Sequence, residues 1–365
     1  MPSRSGLLLT LHVDFITPIC YACYASITDW GDESEIMGTA RSRLPSTPRR
    51  PLPPRWDEFL NALTGRLSKP TTSLLSTRCL TRQTLSQLFM EIREALGLPT
   101  TFPAGPEIIE HLSAMGLASP LSVEFPRKSP HTSPSKEFVL FGIQESREID
   151  PLEVLQSYNQ EGVICYFSAL AYFDLTTQVP THQHVATLTR PTQYTSLRER
   201  ESAPLASIND GPKRSKLGTH IFSYDDVPYF SVKRSITSVP GIQTRVISSR
   251  SNIRITTKEQ TLLDTLHYPI HCGGMGVTFE AWNLSKKNIN YDSICDYLAS
   301  IQIDPLIRRL GAILDLIDCV PSKNLSLFLE QSKERIFSFL DVPHIPLLRG
   351  IDFRKVDNNW KVLIP

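Results

Sequence analysis

The chain has 365 residues, of which 41% are hydrophobic and 21% charged, and this composition excludes a largely disordered protein. Its formal net charge of +1 excludes a general electrostatic attraction to nucleic acid, so any basic surface has to be local. The length allows two or three domains. The seven cysteines form no paired framework, which favours a reduced, cytoplasmic protein.

Residues 1–52 are expected to be a leader that is either disordered or the product of a start codon placed too far upstream, with true initiation at Met37. The apolar run that follows Arg4 resembles a secretory signal. His12 and Asp14 interrupt this run, however, and it is too short to span a bilayer. We therefore expect no membrane partner.

Residues 53–145 are expected to form the first folded domain. Apolar residues recur at helical spacing over 56–68, and a second helix is predicted between Thr81 and Gly97. A third helix is predicted with Pro106 in its first turn and Gly116 as its C-terminal stop.

Two strand-like runs follow these helices, at 121–125 and 137–143, and a loop rich in Pro, Ser and Lys separates them. Three helices followed by a β-hairpin is the order of a winged helix-turn-helix domain. The residues expected to pack its core are Leu63, Leu85, Leu88, Phe89, Ile92, Ile109 and Leu112.

Residues 146–285 are expected to form an α+β middle domain. Asp150 and Pro151 are a helix-start signal for residues 151–159, and a further helix is predicted over 166–175. Alternating apolar and polar residues then predict strands at 185–188, 220–224, 229–232, 245–247 and 253–255.

Residues 286–365 are expected to form a helical C-terminal region, so the fold class is α+β as a whole. The predicted helices are 291–301, 305–318 and 324–340, with Asp304 and Pro305 repeating the start signal. Two short strands are predicted at 345–348 and 360–364.

The search for catalytic chemistry finds no complete site. Ser168 lacks the glycine-flanked turn of a nucleophilic serine. His182 and His184 share one face of a strand, but no carboxylate or Cys stands at a spacing that would complete a metal site. Glu259 and Asp264 point about 140° apart on a helix, so they are not a carboxylate pair. We expect no enzyme activity, no metal and no cofactor.

Basic and amide side chains in the N-terminal third could contact DNA. They belong to the arginine-rich segment before the first helix, to the second helix and to the predicted wing, where phosphate contacts are common. The third helix instead carries Glu107, Glu110 and His111. The candidate DNA-binding residues are Arg49, Arg50, Arg55, Arg82, Gln83, Gln87, Arg127, Lys128 and Lys136.

The segment Thr256–Gly274 predicts a short capped helix. Thr256 stands three residues before Glu259, and Thr257 three before Gln260, so either pair fits a capping box. Leucines 262, 263 and 266 form an apolar stripe, Pro269 stops the helix, and Gly273-Gly274 forms a turn.

This segment resembles the AbiEi-type antitoxins, the DNA-binding members of type IV toxin–antitoxin systems. The resemblance extends over about residues 72–365 and includes the serine–alanine–leucine helix and the terminal Trp strand. The chain departs from the family at Gln260 and Tyr268, where the family usually has Arg. The residues that carry the resemblance, for which we expect packing roles, are Ser168, Leu170, Pro180, Glu259, Leu263, Asp264, Pro269, Gly273, Gly274, Arg308, Arg309, Gly311 and Trp360.

The resemblance implies an antitoxin that represses its own operon through an N-terminal winged helix and counters a nucleotidyltransferase-like toxin. Its expected partners are therefore the operator DNA and the toxin, without a need for a stable complex with the toxin. The alternatives are a protein-interaction scaffold that does not bind DNA and, less favoured, an enzyme that acts on nucleic acid.

Overall fold

A computed structural model gives the fold of residues 52–126, 138–141, 149–190, 217–338, 342–348 and 354–365. Helices and several sheets are mixed along the chain, which confirms the predicted α+β class. Residues Leu52–Pro365 pack as one unit. The domain boundaries proposed at 145 and 285 stay predictions, and the proposed leader lies, except for Leu52, outside the described residues.

The N-terminal elements alternate helices and short strands. In chain order they are α1 (Trp56–Leu67), β1 (Cys79–Thr81), α2 (Arg82–Leu96), α3 (Gly105–Ala114), β2 (Ala118–Leu121) and β3 (Phe138–Phe141). The three strands form an antiparallel sheet in the order β1-β3-β2. We call these six elements the N-terminal unit.

Local sequence signals account for the ends of α2. The Thr81 side chain accepts a hydrogen bond from the Thr84 backbone N–H, which satisfies an amide of the first turn. Gly97 follows the helix with a φ of +58°, a conformation that favours glycine. All seven side chains expected in this core are buried, including Leu88 at 7% exposure.

The predicted hairpin is shifted along the sequence. Its first strand is Ala118–Leu121 instead of 121–125, and Leu121 pairs with Phe138. Glu124 has left this sheet and forms an isolated bridge with Ser223. Residues 121–125 therefore do not form a single strand. Leu121 pairs with β3, whereas Glu124 bridges to β6 of the six-stranded sheet. Strand β1 was not predicted, because three residues directly before a helix carry too little pattern.

The middle of the chain forms a six-stranded mixed sheet between helices. Its elements are α4 (Pro151–Tyr158), β4 (Val163–Ile164), α5 (Phe167–Tyr172), β5 (Gln183–Thr189), β6 (Thr219–Tyr224), β7 (Val227–Ser235), β8 (Ile242–Ser248) and β9 (Ser251–Thr256). The strand order is β6-β7-β5-β4-β9-β8, with parallel pairs at β7-β5 and β4-β9.

The helix predicted over 166–175 is shorter than expected. It ends at Tyr172, and Asp174 then has a φ of +53°, which a helix does not allow. The Asp150 start signal of α4 is confirmed, because the Asp150 carboxylate accepts from the Leu152 N–H at 2.7 Å.

Five helices and a second small sheet complete the chain. They are α6 (Lys258–His267), α7 (Met275–Ser285), α8 (Tyr291–Ile301), α9 (Asp304–Leu316), α10 (Lys323–Phe337), β10 (Ile345–Pro346), β11 (Lys355–Asp357) and β12 (Val362–Ile364). The sheet order is β10-β12-β11. Helix α7 and strand β11 were not predicted, and the strands expected at 345–348 and 360–364 are shorter.

Two helix starts differ in detail from the expectation. For α6, Thr257 accepts from the Gln260 N–H, but the reciprocal half of the capping box is absent because the Thr257 N–H donates to Gly241. For α9, Asp304 is already helical and makes no cap hydrogen bond, and its carboxylate instead pairs with Arg335 at 2.6 Å.

The sheet of the N-terminal unit is buried on both faces. Val139 and Phe141 of β3 pack with the three helices, whereas Phe138 and Leu140 pack with α4 and the six-stranded sheet. The N-terminal unit is therefore fixed to the rest of the chain by apolar contacts through its own sheet.

Candidate nucleic-acid interface and buried polar groups

The predicted DNA-binding residues occupy different environments. Gln83 and Gln87 are exposed on one face of α2, and Arg82 beside them is half-buried. Arg55, before α1, donates to the Glu58 carboxylate at 2.7 Å and to the Leu96 carbonyl at 3.1 Å. Its guanidinium is thus engaged within the N-terminal unit.

Five other predicted DNA-binding residues lie outside the described residues. They belong to the segment before α1 and to the sequence that connects β2 to β3, and they are Arg49, Arg50, Arg127, Lys128 and Lys136. Their assignment stays a prediction.

The exposed face of α3 is acidic. Glu107 and Glu110 are exposed, whereas Ile108, Ile109 and Leu112 are buried against the other helices. Carboxylates at these positions repel phosphate, so this helix does not have the side chains of a base-recognising helix. A DNA interface on this unit would have to use α2 and the basic residues of the segments before α1 and between β2 and β3.

Asp264 of α6 binds a buried arginine that the sequence did not indicate. Arg234 of β7 donates to both carboxylate oxygens of Asp264, at 2.6 and 2.7 Å. Gln260 donates to the same carboxylate at 2.9 Å. The guanidinium carbon lies 5.1 Å from the ring centroid of Tyr166 and 5.5 Å from that of Tyr268. Both carboxylate oxygens of Asp264 are therefore engaged by Arg234 within the protein.

Burial and charge act in opposite directions on Arg234. Burial is the largest single influence and disfavours the charge, but the charge and hydrogen bonds of Asp264, together with Tyr166 and Cys165, hold the pKa of Arg234 above its ordinary value. The Arg234 Nε has no hydrogen-bond partner among the described residues. A cavity of about 10 Å³ beside it has room for no more than one water molecule.

Three histidines, His182, His184 and His271, cluster near Tyr166. The ring centroids of His182 and His184 are 5.0 Å apart, and those of His184 and His271 are 5.3 Å apart. The Nε2 atoms of His182 and His184 contact the carbonyls of His271 and Leu217. No three His, Cys, Asp or Glu side chains in the described residues are arranged to bind a metal ion.

Burial keeps these histidines neutral. It lowers the pKa of His184 to about 3 and that of His271 to about 4, and the neighbouring imidazoles and Arg234 add to the effect. The buried Nδ1 of His184 has no hydrogen-bond partner among the described residues. The three rings thus form a neutral cluster in which His182 and His184 are buried and His271 is half-buried.

The remaining motif residues of the middle region also have packing roles. Ser168 accepts a hydrogen bond from the His184 N–H at 2.8 Å, which joins α5 to β5. Leu170 and Leu263 are fully buried. Glu259 accepts from the Asn290 N–H at 3.3 Å, at the start of α8.

The turn after α6 depends on its buried proline and two glycines. Pro269 is buried in a short 3₁₀-helix, and Gly273 and Gly274 follow with φ values of +85° and +88°. A Cβ on Gly273 would lie 2.8 Å from Val277. Pro180, in the turn before β5, is half-buried.

The two motif arginines of α9 bind the C-terminal strands. Arg308 donates to the carbonyls of Trp360, Lys361 and Pro343, and Arg309 donates to that of Pro346 at 3.0 Å. Both arginines are 4% exposed. They satisfy backbone oxygens of the small sheet and are not available to a ligand.

Gly311 of α9 makes room for Trp360. A Cβ at Gly311 would lie 2.1 to 2.5 Å from atoms of the Trp360 indole, so no side chain fits there. The indole Nε1 donates to Asp315 at 2.9 Å, one turn further along the same helix. The spacing between the glycine and the aspartate thus positions the Trp360 ring.

A second buried carboxylate joins the N-terminal unit to the six-stranded sheet. Glu153 of α4 is 1% exposed, accepts hydrogen bonds from the Ser251 and Ser76 hydroxyls, and lies 3.5 Å from Arg78. Burial raises the pKa of Glu153, and the hydroxyl donors and Arg78 oppose that rise. Glu153 sits in the first turn of a helix that looks amphipathic, so no sequence signal separates it from an exposed residue.

Arg250 strengthens the same junction. Its guanidinium donates to the carbonyls of Phe141 and Thr77, at 3.2 and 3.0 Å, and its own carbonyl accepts from the Thr77 N–H and hydroxyl.

No helix in the described part of the chain is both long and apolar enough to cross a membrane.

Comparisons with known proteins do not assign a family. No protein-family profile matches the sequence, and no curated protein matches it either. The fold is similar to the crystal structure of the RV2827C protein from Mycobacterium tuberculosis, with 12% identity and a TM-score of 0.47. That alignment covers 88% of this chain and 94% of the other. A similarity at this level assigns no function.

Proposed function

We propose that the N-terminal unit is a winged helix that binds double-stranded DNA, and that the chain is a transcriptional autorepressor of the antitoxin type. The observation that carries the proposal is the topology. Helix, strand, helix, helix, strand and strand follow one another, and the sheet order is β1-β3-β2. This order is similar to that of a winged helix-turn-helix and supports the proposal; the connection between the last two strands would then be the wing.

The charge distribution restricts how such a unit would contact DNA. The sequence between β2 and β3 contributes Arg127, Lys128 and Lys136, and the segment before α1 contributes Arg49 and Arg50. These side chains would contact phosphates, which position a protein on DNA without specifying a sequence.

Recognition of bases would fall to the start of α2. Gln83 and Gln87 are exposed one turn apart, and Gln side chains form paired hydrogen bonds with adenine in the major groove. The α3 face with Glu107 and Glu110 would point away from the phosphates. This mode differs from that of a winged helix whose third helix enters the groove.

The antitoxin role rests on the sequence resemblance. It predicts that a nucleotidyltransferase-like toxin is encoded next to this chain and that co-expression of this chain relieves its toxicity. Growth of cells that express the toxin alone, or together with this chain, tests this part separately from DNA binding.

A protein-interaction scaffold is the second candidate function. It is favoured by the acidic surface of the N-terminal unit, where Glu91 and Glu94 of α2 are exposed as well as the two glutamates of α3. Such a surface fits a basic protein partner better than it fits a nucleic acid.

Retardation of DNA fragments separates the two candidates. A chain beginning at Met37 is titrated into a fragment from upstream of its own gene and into a scrambled fragment, at two salt concentrations. DNA binding predicts tighter retention of the upstream fragment and a loss of affinity with salt, with a log–log slope of about −0.9 per phosphate neutralised. No retention of either fragment at the lower salt concentration would reject DNA binding and favour the scaffold.

A further inference from the structure

Strand β8 is an outer strand of the six-stranded sheet and pairs, within the described residues, only with β9. The opposite outer strand, β6, is protected. Glu124 and Ser223 exchange two backbone hydrogen bonds there, at 2.9 and 2.7 Å, so the segment after β2 covers part of that edge. Proteins usually protect exposed strand edges in this way, or with Lys, Pro or a bulge within the strand.

The β8 edge lacks most of these protections. Its sequence, Ile-Gln-Thr-Arg-Val-Ile-Ser, contains neither Lys nor Pro, and its irregularity lies at the far end, between Val246 and Ser248. Thr244, Arg245 and Val246 are exposed, and the Val246 side chain is 72% exposed. An exposed β-branched residue on a regular outer strand favours pairing with another strand.

The regular part of β8 is self-complementary. Residues 242 to 246 pair continuously with β9, and Thr244 is the central residue of this stretch. In an antiparallel pair of two copies centred on Thr244, Val246 faces Ile242 of the other copy, Thr244 faces Thr244, and Arg245 faces Gln243. In this register apolar residues thus face apolar residues and hydroxyl side chains face hydroxyl side chains. The two Arg245 side chains are not opposite each other.

We propose that β8 pairs with β8 of a second copy of this chain, in the antiparallel register centred on Thr244. The two sheets then form one continuous twelve-stranded sheet, and the interface is isologous, as in most homodimers. Arg245 argues for this register over its neighbour. A pair centred on residue 245 would place two guanidinium groups directly opposite each other, which is unfavourable. The proposal is independent of DNA binding.

Cross-linking tests the register. Residues directly opposite each other in an antiparallel pair have Cα atoms about 4.5–5.5 Å apart, within the range for a disulfide. Thr244→Cys should therefore give an intermolecular disulfide under mild oxidation, identified by the mass of the linked peptide. Gln243→Cys is the matched control, because it leaves Arg245 in place. In the proposed register the two copies of residue 243 are displaced by two residues along the strands, so their Cα atoms are roughly 8 Å apart, which is too far for a disulfide.

Sedimentation tests the interface without a new cysteine. The wild-type chain should be a concentration-dependent dimer, and Val246→Lys should raise the dimer Kd at least about tenfold, because it places a charge against Ile242 of the other copy. Val320→Lys, at a position 90% exposed outside any sheet, should leave the Kd unchanged. Circular dichroism and thermal unfolding verify that both variants are folded.

Three results would overturn the proposal. One is a wild-type chain that remains monomeric up to ~0.1 mM, where a dimer of micromolar Kd would be populated. Another is a dimer that Val246→Lys and Val320→Lys affect equally. The third is a cross-link through residue 243 and not through residue 244, which would assign a different register. A monomer would leave the β8 edge to a strand of another protein.

Discussion

The N-terminal unit and the region from residue 149 onwards bury different chemistry. The core around α1, α2 and α3 consists of aliphatic and aromatic side chains, and the charged residues of α2 and α3 are at the surface or half-buried. The later region buries Arg234, Asp264, Arg308 and Arg309, each with hydrogen-bond partners. The residues that carry the family resemblance thus mainly stabilise the fold, whereas the DNA contacts that we propose belong to the N-terminal unit.

The largest expected effect concerns the buried ion pair. Asp264→Ala leaves the Arg234 guanidinium buried without its carboxylate, and removal of one partner of such a pair costs about 3–5 kcal/mol. Urea denaturation measures the loss. The double variant Arg234→Met with Asp264→Leu is the control, because an apolar pair of similar volume should recover much of the stability. Equal losses in the single and double variants would refute a specific role for the pair.

The apolar core of the N-terminal unit should respond to loss of volume. Leu88 is 7% exposed and packs within this core, so Leu88→Ala should destabilise the chain by about 2–5 kcal/mol. Exposed Met90, two residues along the same helix, offers the comparison, and Met90→Ala should change stability little. Similar losses for both variants would show that this core is not the one described.

Replacing each of two helical glycines by alanine should change the stability of the chain in opposite directions. Gly311→Ala drives a methyl group into the Trp360 indole and should cost about 1–3 kcal/mol. Gly65 lies in α1 with no atom within 4 Å of an added Cβ. Gly65→Ala should therefore stabilise the chain by roughly 0.5–1 kcal/mol, because alanine is the better helix former. Thermal unfolding of the two variants decides, and a stabilised Gly311→Ala would contradict the packing described.

The buried histidines predict a loss of stability in acid. Because burial lowers the pKa of His184 from 6.5 to about 3, the unfolded chain binds a proton between these pH values that the folded chain does not. The stability gained by keeping His184 neutral is therefore fully present above pH 6.5, the pKa in the unfolded chain, and decreases as the pH falls towards 3. From pH 7.5 to 5 the loss for His184 is about 2 kcal/mol. In urea denaturation at several pH values, His184→Phe should remove this part of the pH dependence of stability. A variant with the same pH dependence as the wild-type chain would contradict the role given to His184.

Local patterns predicted much of the fold, and long-range pairs were not predictable. The bounds of α8 were predictable because its apolar stripe and the Asn290 cap depend only on residues that are neighbours in the sequence. Helix α7 was missed because Thr278 and Ser285 share its buried face with Val277 and Trp282, which hides the apolar period. The Arg234–Asp264 pair joins a strand to a helix 30 positions later, and no spacing rule connects them. The acidic surface of α3 was visible in the sequence.

The central claim is that ligand contacts belong to the N-terminal unit. Fluorescence anisotropy with DNA from upstream of the gene tests it with two double variants. We expect Arg127→Ala with Lys128→Ala to weaken binding to upstream and scrambled DNA alike and to reduce the salt slope by up to ~2. Lys286→Ala with Lys287→Ala removes an adjacent basic pair after α7 and should leave binding unchanged. Equal weakening by both double variants, or no preference of the wild-type chain for upstream DNA, would contradict the account.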